Sequence, residues 1–351
     1  MFVEKNPKTI TLTAVGDILM HGRVYGGLSK KSGFKFKEQL KNVEGILGKS
    51  DITIANLESI IGGVELGLSG FPRFNGPVEI GYALKDLGVD IVTIANNHVL
   101  DHGEIGLLKS IANLEKIGLE YDGAYKSQED KDRLRILERN GLKIAFVSYT
   151  KGTNGIRIPK DKKYMVNSLV NTSVLKVAKE IRTIRNNKFA DIIIVNLHYG
   201  DEYFLEPSVR QKEIATSLAN AGADVILGHH PHVLQPPEWI ETSHGTRVFA
   251  AYSLGNFFSG QNGLYRQIGA ALTLEVTKPH EDYKGVTIKN PKYELTYVNR
   301  ESRLRYDMYL LRDWVSKNKY IKTTTGNFDS RTVYEDVKNR LRSNIPDLEV
   351  I

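Results

Sequence analysis

The stretch that decides the fold runs Asp191-Ile-Ile-Ile-Val-Asn-Leu-His198, in which an acidic residue precedes a β-branched apolar run that ends in polar side chains. The same pattern occurs in Asp51-Ile-Thr-Ile-Ala-Asn-Leu-Glu58, Asp90-Ile-Val-Thr-Ile-Ala-Asn-Asn-His98 and Asp224-Val-Ile-Leu-Gly-His-His230. A related strand runs from Thr9 to Asp17. Near-continuous valine and isoleucine runs are typical of strands that are covered on both faces. They predict a largely parallel sheet with helices packed on it.

Helical patterns lie between these strands, and several end at a glycine of the kind that caps helices, such as Gly88, Gly118 and Gly222. The predicted helices are Lys37–Leu47, Val78–Leu87, Glu104–Ile117, Thr172–Asn187 and Ser208–Ala221. Alternation of strands and helices at this spacing predicts the α/β fold class.

Further strands are predicted at Leu142–Tyr149, Val248–Ser253 and Ala271–Val276. The last two are close in sequence, and we expect them to form an antiparallel pair. Such a pair indicates two sheets rather than one doubly wound sheet.

The character of the sequence changes near Lys278, where the strong apolar runs stop. Residues Gly285–Val298 alternate like exposed strands, and helices are predicted around Asp307–Lys317 and Ser330–Arg342. We therefore predict a main domain of residues 1–277 and a C-terminal β/α extension of residues 278–351 that packs on it or beside it.

Composition excludes several classes of protein. The chain has 351 residues with 41% hydrophobic and 25% charged residues, values typical of a soluble globular protein rather than a disordered one. No apolar run approaches the roughly 18 residues of a membrane-spanning helix, and the first ten residues do not resemble a signal peptide. We expect a soluble chain with no membrane span, although removal of an anchor would leave the same sequence.

The absence of cysteine excludes disulfides, thiolate zinc sites, iron–sulfur clusters and cysteine nucleophiles. The net charge of +7 suits an anionic partner. Because the sequence has no zinc finger, RRM motif or basic zipper, no nucleic acid partner is predicted. It also lacks a Walker loop, a Gly-x-Ser-x-Gly elbow and a dinucleotide-binding glycine motif.

Polar residues follow the predicted strands at the points where the strands end. They are Asp17, Asn56, Glu58, Asn97, His98, His198, His229, His230 and His232. The carboxyl ends of parallel strands meet along one edge of a sheet, where ligands bind. Imidazole, carboxylate and amide groups together suit a divalent ion such as Mn, Fe or Zn. The sequence therefore predicts a metal site of one or two ions at this edge.

The segment His230-Pro-His232 is the most specific part of this prediction. Residues i and i+2 of an extended segment project to the same side, and Pro231 stiffens the spacing. Gly228 permits a close approach of the backbone. The alternative is a polar turn with histidines exposed to solvent.

A second group of residues surrounds Asn97-His98. Asn97 could supply a neutral oxygen ligand, while His98 could act as a general acid or stabilise developing charge. Asp101 could orient the imidazole. The alternative is that the asparagines end a strand and that Asp101 caps the following helix. Arg23 could clamp an anionic substrate or lie on the surface, and Glu202 could face a substrate.

Six motifs occur in order along the chain. They are Gly16-Asp17-Ile-Leu-Met-His-Gly-Arg23, Asn56-Leu-Glu58, Ala95-Asn-Asn-His-Val-Leu-Asp-His-Gly103, His198-Tyr-Gly-Asp-Glu202, Gly228-His-His-Pro-His-Val-Leu-Gln235 and Tyr252-Ser-Leu-Gly-Asn-Phe257. Together they resemble the CapA-type proteins of bacterial capsule and poly-γ-glutamate biosynthesis, which are similar to the calcineurin-like metallophosphoesterases. The resemblance extends from about residue 9 to residue 275.

This resemblance implies a four-layer α-β-β-α sandwich with a metal centre at the strand ends. The residues that it implies as metal ligands are Asp17, Asn97, His198, His230 and His232, with Glu58 as a further ligand that could bridge two ions. It implies that His98 meets the substrate. His98 and Asp101 are the predicted catalytic residues, and Asn256 joins Arg23 and Glu202 as predicted substrate-binding residues.

The sequence departs from the phosphoesterase pattern at two points. Leu19 occupies the position two residues after Asp17, where the pattern has histidine. Asn56-Leu-Glu58 replaces the bridging Gly-Asp-x-x-Asp motif. A single ion and two ions with altered spacing are equally open.

Two functions are compatible with these residues. The first is a metal-dependent hydrolase of capsule biosynthesis that acts on a phosphoester or a γ-glutamyl polymer. The second is a non-enzymatic component that binds or exports the anionic polymer and has a structural or vestigial metal site. The resemblance also implies association with the cell surface and with the capsule synthase complex.

Overall fold

The computed structural model describes residues 6–28, 33–280, 285–302 and 305–351. Its strands form two large sheets and one two-stranded sheet. The strands are β1 (Lys8–Leu19), β2 (Ile52–Leu57), β3 (Ile91–Thr93), β4 (Glu120–Asp122), β5 (Arg135–Arg139), β6 (Leu142–Thr150), β7 (Ile192–His198), β8 (Val225–His229), β9 (Glu238–Glu241), β10 (Arg247–Ala251), β11 (Asn256–Ser259), β12 (Ile268–Lys278), β13 (Thr287–Ser302), β14 (Arg305–Leu310), β15 (Tyr320–Thr323), β16 (Gly326–Asp329) and β17 (Glu349–Val350).

The α-helices alternate with the strands through most of the chain. They are α1 (Gly22–Tyr25), α2 (Phe36–Leu40), α3 (Glu44–Leu47), α4 (Glu79–Asp86), α5 (Gly103–Ile117), α6 (Gln128–Asp132), α7 (Val174–Asn186), α8 (Val209–Ala219), α9 (Leu311–Ser316) and α10 (Ser330–Leu341). The α/β class is confirmed, and helices α4, α5, α7, α8 and α10 begin and end within two residues of their predicted limits.

The two large sheets each contain a parallel core. The first has the order β14-β13-β12-β1-β2-β3-β4, with β11 paired to β1 and β17 paired to β13. Strands β1 to β4 are parallel, whereas β12 to β14 are antiparallel to their neighbours. The second has the order β5-β6-β7-β8-β10-β9, in which β6, β7, β8 and β10 are parallel. The prediction of two sheets is therefore confirmed.

The apolar runs of the strands are explained by burial on both faces. In β7, Ile192 and Ile194 belong to an apolar cluster that contains residues of both large sheets. Ile193 and Val195 belong to a different cluster, which includes Ile181 and other residues of α7 and α8. A third cluster joins the first sheet to helices α2 to α5. Since successive side chains of a strand point to opposite faces, each run supplies two clusters at once.

A bulge in β1 positions the end of this strand. Val15 pairs with Ala55 and Asp17 with Asn56, so Gly16 is an extra residue on β1. A Cβ atom at Gly16 would lie 1.9 Å from the carbonyl oxygen of Gly255, so only glycine fits. The amide of Asp17 donates to that same oxygen at 2.8 Å. The close approach fixes Asp17 at the edge where the polar residues meet.

Two predictions of helices were wrong in part. Segment Lys37–Leu47 is not one helix but α2, a 3₁₀ turn and α3. Asn42 lies in that turn and its side chain donates to the carbonyl oxygen of Met308 at 2.8 Å, which anchors the segment to β14. Residues 307–310 belong to β14 rather than to a helix, because Met308 pairs with Val298 of β13.

The expected antiparallel pair of Val248–Ser253 and Ala271–Val276 does not form. Strand β10 pairs with β8 and β9 in the second sheet. Strand β12 pairs with β1 and β13 in the first sheet. The chain crosses from the second sheet to the first near Gly255, so β10 and β12 are close in sequence but do not pair.

Residues after 278 contribute strands β13, β14 and β17 to the first sheet. The sheet thus continues across the predicted limit at residue 277, and the division into 1–277 and 278–351 stays a prediction. Among the described residues, no helix combines the length and the apolar character that crossing a bilayer requires.

Candidate metal centre

The structure brings the polar ends of several strands together at one edge. Asp17 lies in β1, Glu58 follows β2, His198 ends β7, and the segment from His229 to His232 begins at the end of β8. These side chains are buried. Two clusters of possible metal ligands result, Asp17 with Glu58 and His198, and Glu58 with His230 and His232. Within each cluster the ligand atoms lie within 4.8 Å of one another.

His198, at the end of β7 in the second sheet, contacts residues that follow strands β2 and β3 of the first sheet. Its Nε2 atom lies 2.9 Å from Asn97 Oδ1, 3.1 Å from His230 Nδ1 and 3.4 Å from Glu58 Oε1. Asn97 Oδ1 is an acceptor, and so is Glu58 Oε1 when it is ionised, whereas the role of His230 Nδ1 depends on its tautomer. A ring nitrogen has at most one proton to donate, so it cannot satisfy both oxygens. A cation among these atoms would satisfy all of them, and the arrangement therefore fits a metal ion.

Glu58 is fully buried and neither of its carboxylate oxygens has a hydrogen-bond partner among the described residues. Burial raises the pKa of Glu58 to about 8, and the negative charge of Asp17 adds to the effect. A buried carboxylate without donors is costly unless a cation compensates it. Glu58 belongs to both clusters of possible metal ligands.

Asp17 and His232 form the other side of the centre. His232 Nδ1 lies 3.0 Å from Asp17 Oδ2 and 3.1 Å from Asn256 Oδ1. Asn56 Nδ2 donates to Asp17 Oδ1 at 2.7 Å and lies 3.2 Å from His198 Nδ1. Asn56 and Asn256 thus hold the ligands in place.

The histidine segment adopts an unusual backbone. His230 and His232 have φ angles of 97° and 58°, in the left-handed region that non-glycine residues rarely adopt. Gly228 precedes them and lies against β10, where a Cβ atom would be 2.0 Å from the carbonyl oxygen of Tyr252. The predicted extended or turn segment is therefore a strained turn that directs both rings inward.

Burial and charge hold three of the candidate ligands, Asp17, His198 and His230, in the forms that bind metal. Burial lowers the pKa of His198 and of His230, so both rings are neutral near pH 7. Burial alone would raise the pKa of Asp17, but contacts with His229 and His232 outweigh it and lower that pKa well below its usual value. Asp17 thus offers an ionised carboxylate, and His198 and His230 offer neutral imidazoles. Glu58 and His232, whose pKa values are raised to about 8 and about 9, would have to release protons to bind a metal.

The pair His98 and Asp101 lies beside this centre. His98 Nδ1 is 2.8 Å from Asp101 Oδ2, and the same oxygen accepts a hydrogen bond from the amide of Phe74 at 2.6 Å. The Phe74 ring meets the His98 ring edge-on with centroids 4.6 Å apart. Helix α5 is preceded by His102 rather than Asp101 as its N-cap residue, so the carboxylate of Asp101 serves His98 instead of the helix.

The remaining predicted residues lie at different distances from the ligands. Arg23 is exposed in α1, whereas Asn256 is fully buried against His232. Glu202 is exposed. It nevertheless adds to the raised pKa of Glu58, whose main cause is burial. His21, which lies two residues after Leu19, belongs to neither cluster of possible ligands; its ring packs on Phe74 and its Nδ1 atom lies 3.3 Å from the amide of Gly260.

Sequence reasoning missed three residues near the centre. Asn154 accepts a hydrogen bond from Asn97 Nδ2 at 3.2 Å. The ring centroid of Tyr203 lies 6.1 Å from that of His232, and the guanidinium of Arg266 stacks on Tyr203 at 4.5 Å. Tyr203 follows Glu202 in one of the six motifs, but nothing in the sequence pattern distinguishes Asn154 or Arg266.

The model of one protein family matches residues 11–261, described as bacterial capsule synthesis protein PGA_cap. The chain belongs to the PGA_cap family. This family is part of the metallophosphoesterase-like superfamily, and the resemblance to CapA-type proteins is confirmed.

This PGA_cap chain is similar in sequence to three proteins whose names refer to capsule or polymer synthesis. It is 35% identical over 189 residues to the PGA biosynthesis protein CapA of Bacillus subtilis, a match that covers 51% of the chain and 44% of the relative. It is 32% identical over 180 residues to the capsule biosynthesis protein CapA of Bacillus anthracis, covering 51% and 42%. It is 24% identical over 208 residues to a probable polyglutamine synthesis accessory protein of Mycobacterium tuberculosis, covering 56% and 53%. The chain spans about half the length of these relatives, or less.

In the metal-free PGA_cap centre, Glu58 and His232 hold protons near pH 7, and this predicts that the stability of the protein depends on pH. Burial alone would lower the pKa of His232, but Glu58 and Asp17 outweigh it and raise that pKa to about 9. For Glu58 and His232 the folded pKa exceeds the unfolded value, so their contribution to stability is lost as pH rises through these pKa values. We expect the melting temperature in EDTA to fall between about pH 6 and pH 9.5, and added Mn²⁺ to restore it increasingly at high pH. A profile in EDTA that is flat or rises over this range would contradict the assignment of protons to these groups.

Proposed function

We propose that the chain is a capsule biosynthesis protein with a metal-dependent hydrolytic centre that acts on an anionic substrate, either a phosphoester or a γ-glutamyl polymer. The observation that carries the proposal is the convergence of Asn97, His230 and Glu58 on one ring nitrogen of His198. The names of the two CapA relatives supply the capsule context.

The donor set supports a divalent ion, with Mn, Fe and Zn as candidates. The residues that would hold one or two ions are Asp17, Glu58, Asn97, His198, His230 and His232. When bound, the metal would act as a Lewis acid on the scissile group and activate water. The shared position of Glu58 in both ligand clusters favours two ions over one.

The chain's own residues would complete the reaction. Asp101 accepts the proton of His98 Nδ1 and so fixes the orientation of the ring. The other ring nitrogen of His98 has no hydrogen-bond partner among the described residues and is left for the substrate. In the proposed mechanism His98 protonates the leaving group, and Arg23, Glu202 and Asn256 stay candidates for substrate binding.

The wider predictions belong to the same proposal. Three separate apolar clusters, one of them drawn from both sheets, support the four-layer α-β-β-α sandwich. The capsule synthase complex as a partner and association with the cell surface rest on the family resemblance.

Turnover of a chromogenic phosphate ester and of poly-γ-glutamate tests the proposal. We expect activity with Mn²⁺, Zn²⁺ or Fe²⁺ that EDTA abolishes. The His230→Ala variant should be at least about tenfold less active at limiting metal, because it lacks one of the ligands. Some activity should remain, because the cluster of Asp17, Glu58 and His198 is intact. Elemental analysis of the purified protein gives the number of ions. If neither substrate were turned over in a metal-dependent way, the proposal of a hydrolase would be wrong.

A non-enzymatic polymer-binding or export component is the second candidate. Leu19 and the Asn56-Leu-Glu58 segment, which depart from the phosphoesterase pattern, favour it. Polymer binding without turnover, in protein that contains its metal, would support this reading over the hydrolase.

A further inference from the structure

A cavity of about 400 Å³ lies where helices α7 and α8 begin. Its lining includes Ser173 and Val174 at the start of α7, Ser208 and Arg210 at the start of α8, and Tyr199 after β7. Its size lies within the range of about 300–1,000 Å³ that is typical of sites for small ligands.

This cavity and the candidate metal centre lie on opposite faces of the second sheet. The ring of His198, the last residue of β7, contacts the ligands of the centre between the two sheets. Tyr199 follows it and belongs to the apolar cluster that includes residues of α7 and α8. Successive side chains of an extended segment point to opposite faces, so a ligand in the cavity meets the helices rather than the metal ligands.

Two helix N-termini meet at the cavity. Helix α7 has 13 residues and α8 has 11, and the first amides of a helix have no acceptor within it. In the part of the chain that the structure describes, four of these amides donate to no acceptor, those of Val174, Leu175, Val209 and Arg210. Free amides and the positive ends of two helix dipoles together favour an anion.

The two helices differ in how their first turns are capped. In α8 the hydroxyl of Ser208 accepts from the amide of Gln211 at 3.2 Å, and the Gln211 side chain accepts from the amide of Ser208 at 3.0 Å. Ser173 has the extended backbone of an N-cap residue, with φ −69° and ψ 151°, but its hydroxyl accepts from no amide of α7. The hydroxyl and the first amides of α7 are therefore available to a ligand.

Tyr199 is an independent observation that points to a ligand. Its side chain lines the cavity and is 2% exposed, and its hydroxyl has no hydrogen-bond partner among the described residues. Burial raises the pKa of Tyr199, so the hydroxyl keeps its proton and is a donor. A buried hydroxyl without a partner costs free energy, and a ligand oxygen that accepts from it would remove this cost.

The charged side chains at the cavity are already paired within the protein. Asp201 lies 3.9 Å from the ammonium group of Lys151, and Arg210 lies 3.1 Å from Glu213. The donors left for a ligand are thus amides and hydroxyls that come from two helices and a strand end. Donors from several directions suit a tetrahedral phosphate group better than a planar carboxylate.

The rest of the lining is apolar. Leu169 and Val174 are partly buried, and Ile214 is buried. A phosphate group alone would leave this part of the cavity unfilled. An organic group attached to the phosphate would bury apolar surface there.

We propose that the cavity binds a phosphate monoester. The phosphate oxygens accept from the first amides of α7 and α8 and from the hydroxyls of Ser173 and Tyr199. The organic part packs on Leu169, Val174 and Ile214. This site is separate from the candidate metal centre, and the inference does not depend on the proposed function.

Calorimetric titration of the full chain tests the site, in Mn²⁺ and in EDTA. The probes are phenylphosphonate, which is a monoester analogue that is not hydrolysed, inorganic phosphate and uncharged benzyl alcohol. Because EDTA removes any binding of anions through a metal ion, we expect binding at the cavity to persist in EDTA. Phenylphosphonate should bind more tightly than inorganic phosphate, and benzyl alcohol should not bind measurably.

A matched pair of variants tests the helix N-termini. Aspartate and asparagine are both good N-cap residues, so Ser173→Asp and Ser173→Asn should both keep α7 intact. The negative charge of aspartate should weaken binding of phenylphosphonate at least about tenfold, whereas asparagine should leave it nearly unchanged.

A second pair tests the buried hydroxyl. Tyr199→Phe should weaken binding of phenylphosphonate at least about tenfold, because it removes a donor to a charged group. Tyr293→Phe is the control, since Tyr293 in β13 is also buried with an unpartnered hydroxyl but does not line the cavity. Without the ligand neither change should lower the melting temperature, because neither hydroxyl loses a partner.

Four results would overturn the inference. They are no binding of phenylphosphonate in EDTA, equal binding by Ser173→Asp and Ser173→Asn, equal binding by Tyr199→Phe and Tyr293→Phe, and binding of inorganic phosphate as tight as that of phenylphosphonate. The last would indicate an adventitious ion only. Absence of metal-dependent turnover would count against the proposed function and would leave this site unaffected.

Discussion

Replacing Glu58 by glutamine is expected to weaken binding of Mn²⁺ or Zn²⁺ by more than about 100-fold. This is more than the loss of affinity expected when only a hydrogen-bond partner of a metal ligand is removed. Both ligand clusters contain Glu58, so both lose a charged ligand at once. The same change should make the metal-free protein more stable above about pH 8, raising its melting temperature by at least a few degrees.

The stability effect follows from the environment of the carboxylate. Burial raises the pKa of Glu58 to about 8, so stability is lost as pH rises from the unfolded pKa of 4.5 towards that value. Above about pH 8 the metal-free protein contains an ionised group whose oxygens form no hydrogen bond among the described residues. The His232 ring, whose Nε2 lies 3.5 Å from Glu58 Oε1, loses its own positive charge as the pH rises through about 9. Glutamine has nearly the same shape and no charge, so it removes this penalty.

Calorimetric titration with metal and thermal melting in EDTA at about pH 6 and pH 9 measure the two effects. Glu206→Gln is the matched control, because Glu206 is exposed and is absent from both ligand clusters. Wild-type metal affinity in the Glu58 variant would show that Glu58 is not a ligand. A lower melting temperature at pH 9 without metal would show that the carboxylate has a stabilising partner.

The sequence predicted the components of the centre because they occur at strand ends. Asp17, Glu58 and His198 each belong to an apolar run whose last polar residue can be recognised, and parallel strands bring such residues to one edge. The regular hydrophobic spacing of α5 and α7 likewise predicted their limits. These features depend on patterns within a few residues of one another.

Features set by contacts between distant segments escaped prediction. Asn154 approaches Asn97 and His98 through the arrangement of the two sheets, and Arg266 reaches Tyr203 from a segment before β12. The pairing of β10 and β12 depended on the chain crossing between sheets near Gly255. Such contacts depend on tertiary packing, which short-range spacing does not specify.

Changing Asp101 to asparagine is expected to lower kcat by about 100-fold or more while leaving the metal content unchanged. Asparagine keeps an oxygen that can accept from the amide of Phe74 and from His98 Nδ1, as Asp101 Oδ2 does in the structure. It removes the negative charge that stabilises the protonated form of the His98 ring. The effect should fall mainly on kcat rather than KM, because Asp101 acts through His98 as a positioning residue.

Two further measurements separate this role from a structural one. The melting temperature of Asp101→Asn should change little, and its KM should stay near the wild-type value. Asp101→Ala also removes the acceptor of the Phe74 amide, a buried group, so it should lower the melting temperature as well as kcat. If Asp101→Asn kept the wild-type kcat, Asp101 would serve only to anchor the amide of Phe74. Protonation of the leaving group would then not depend on the contact between Asp101 and His98.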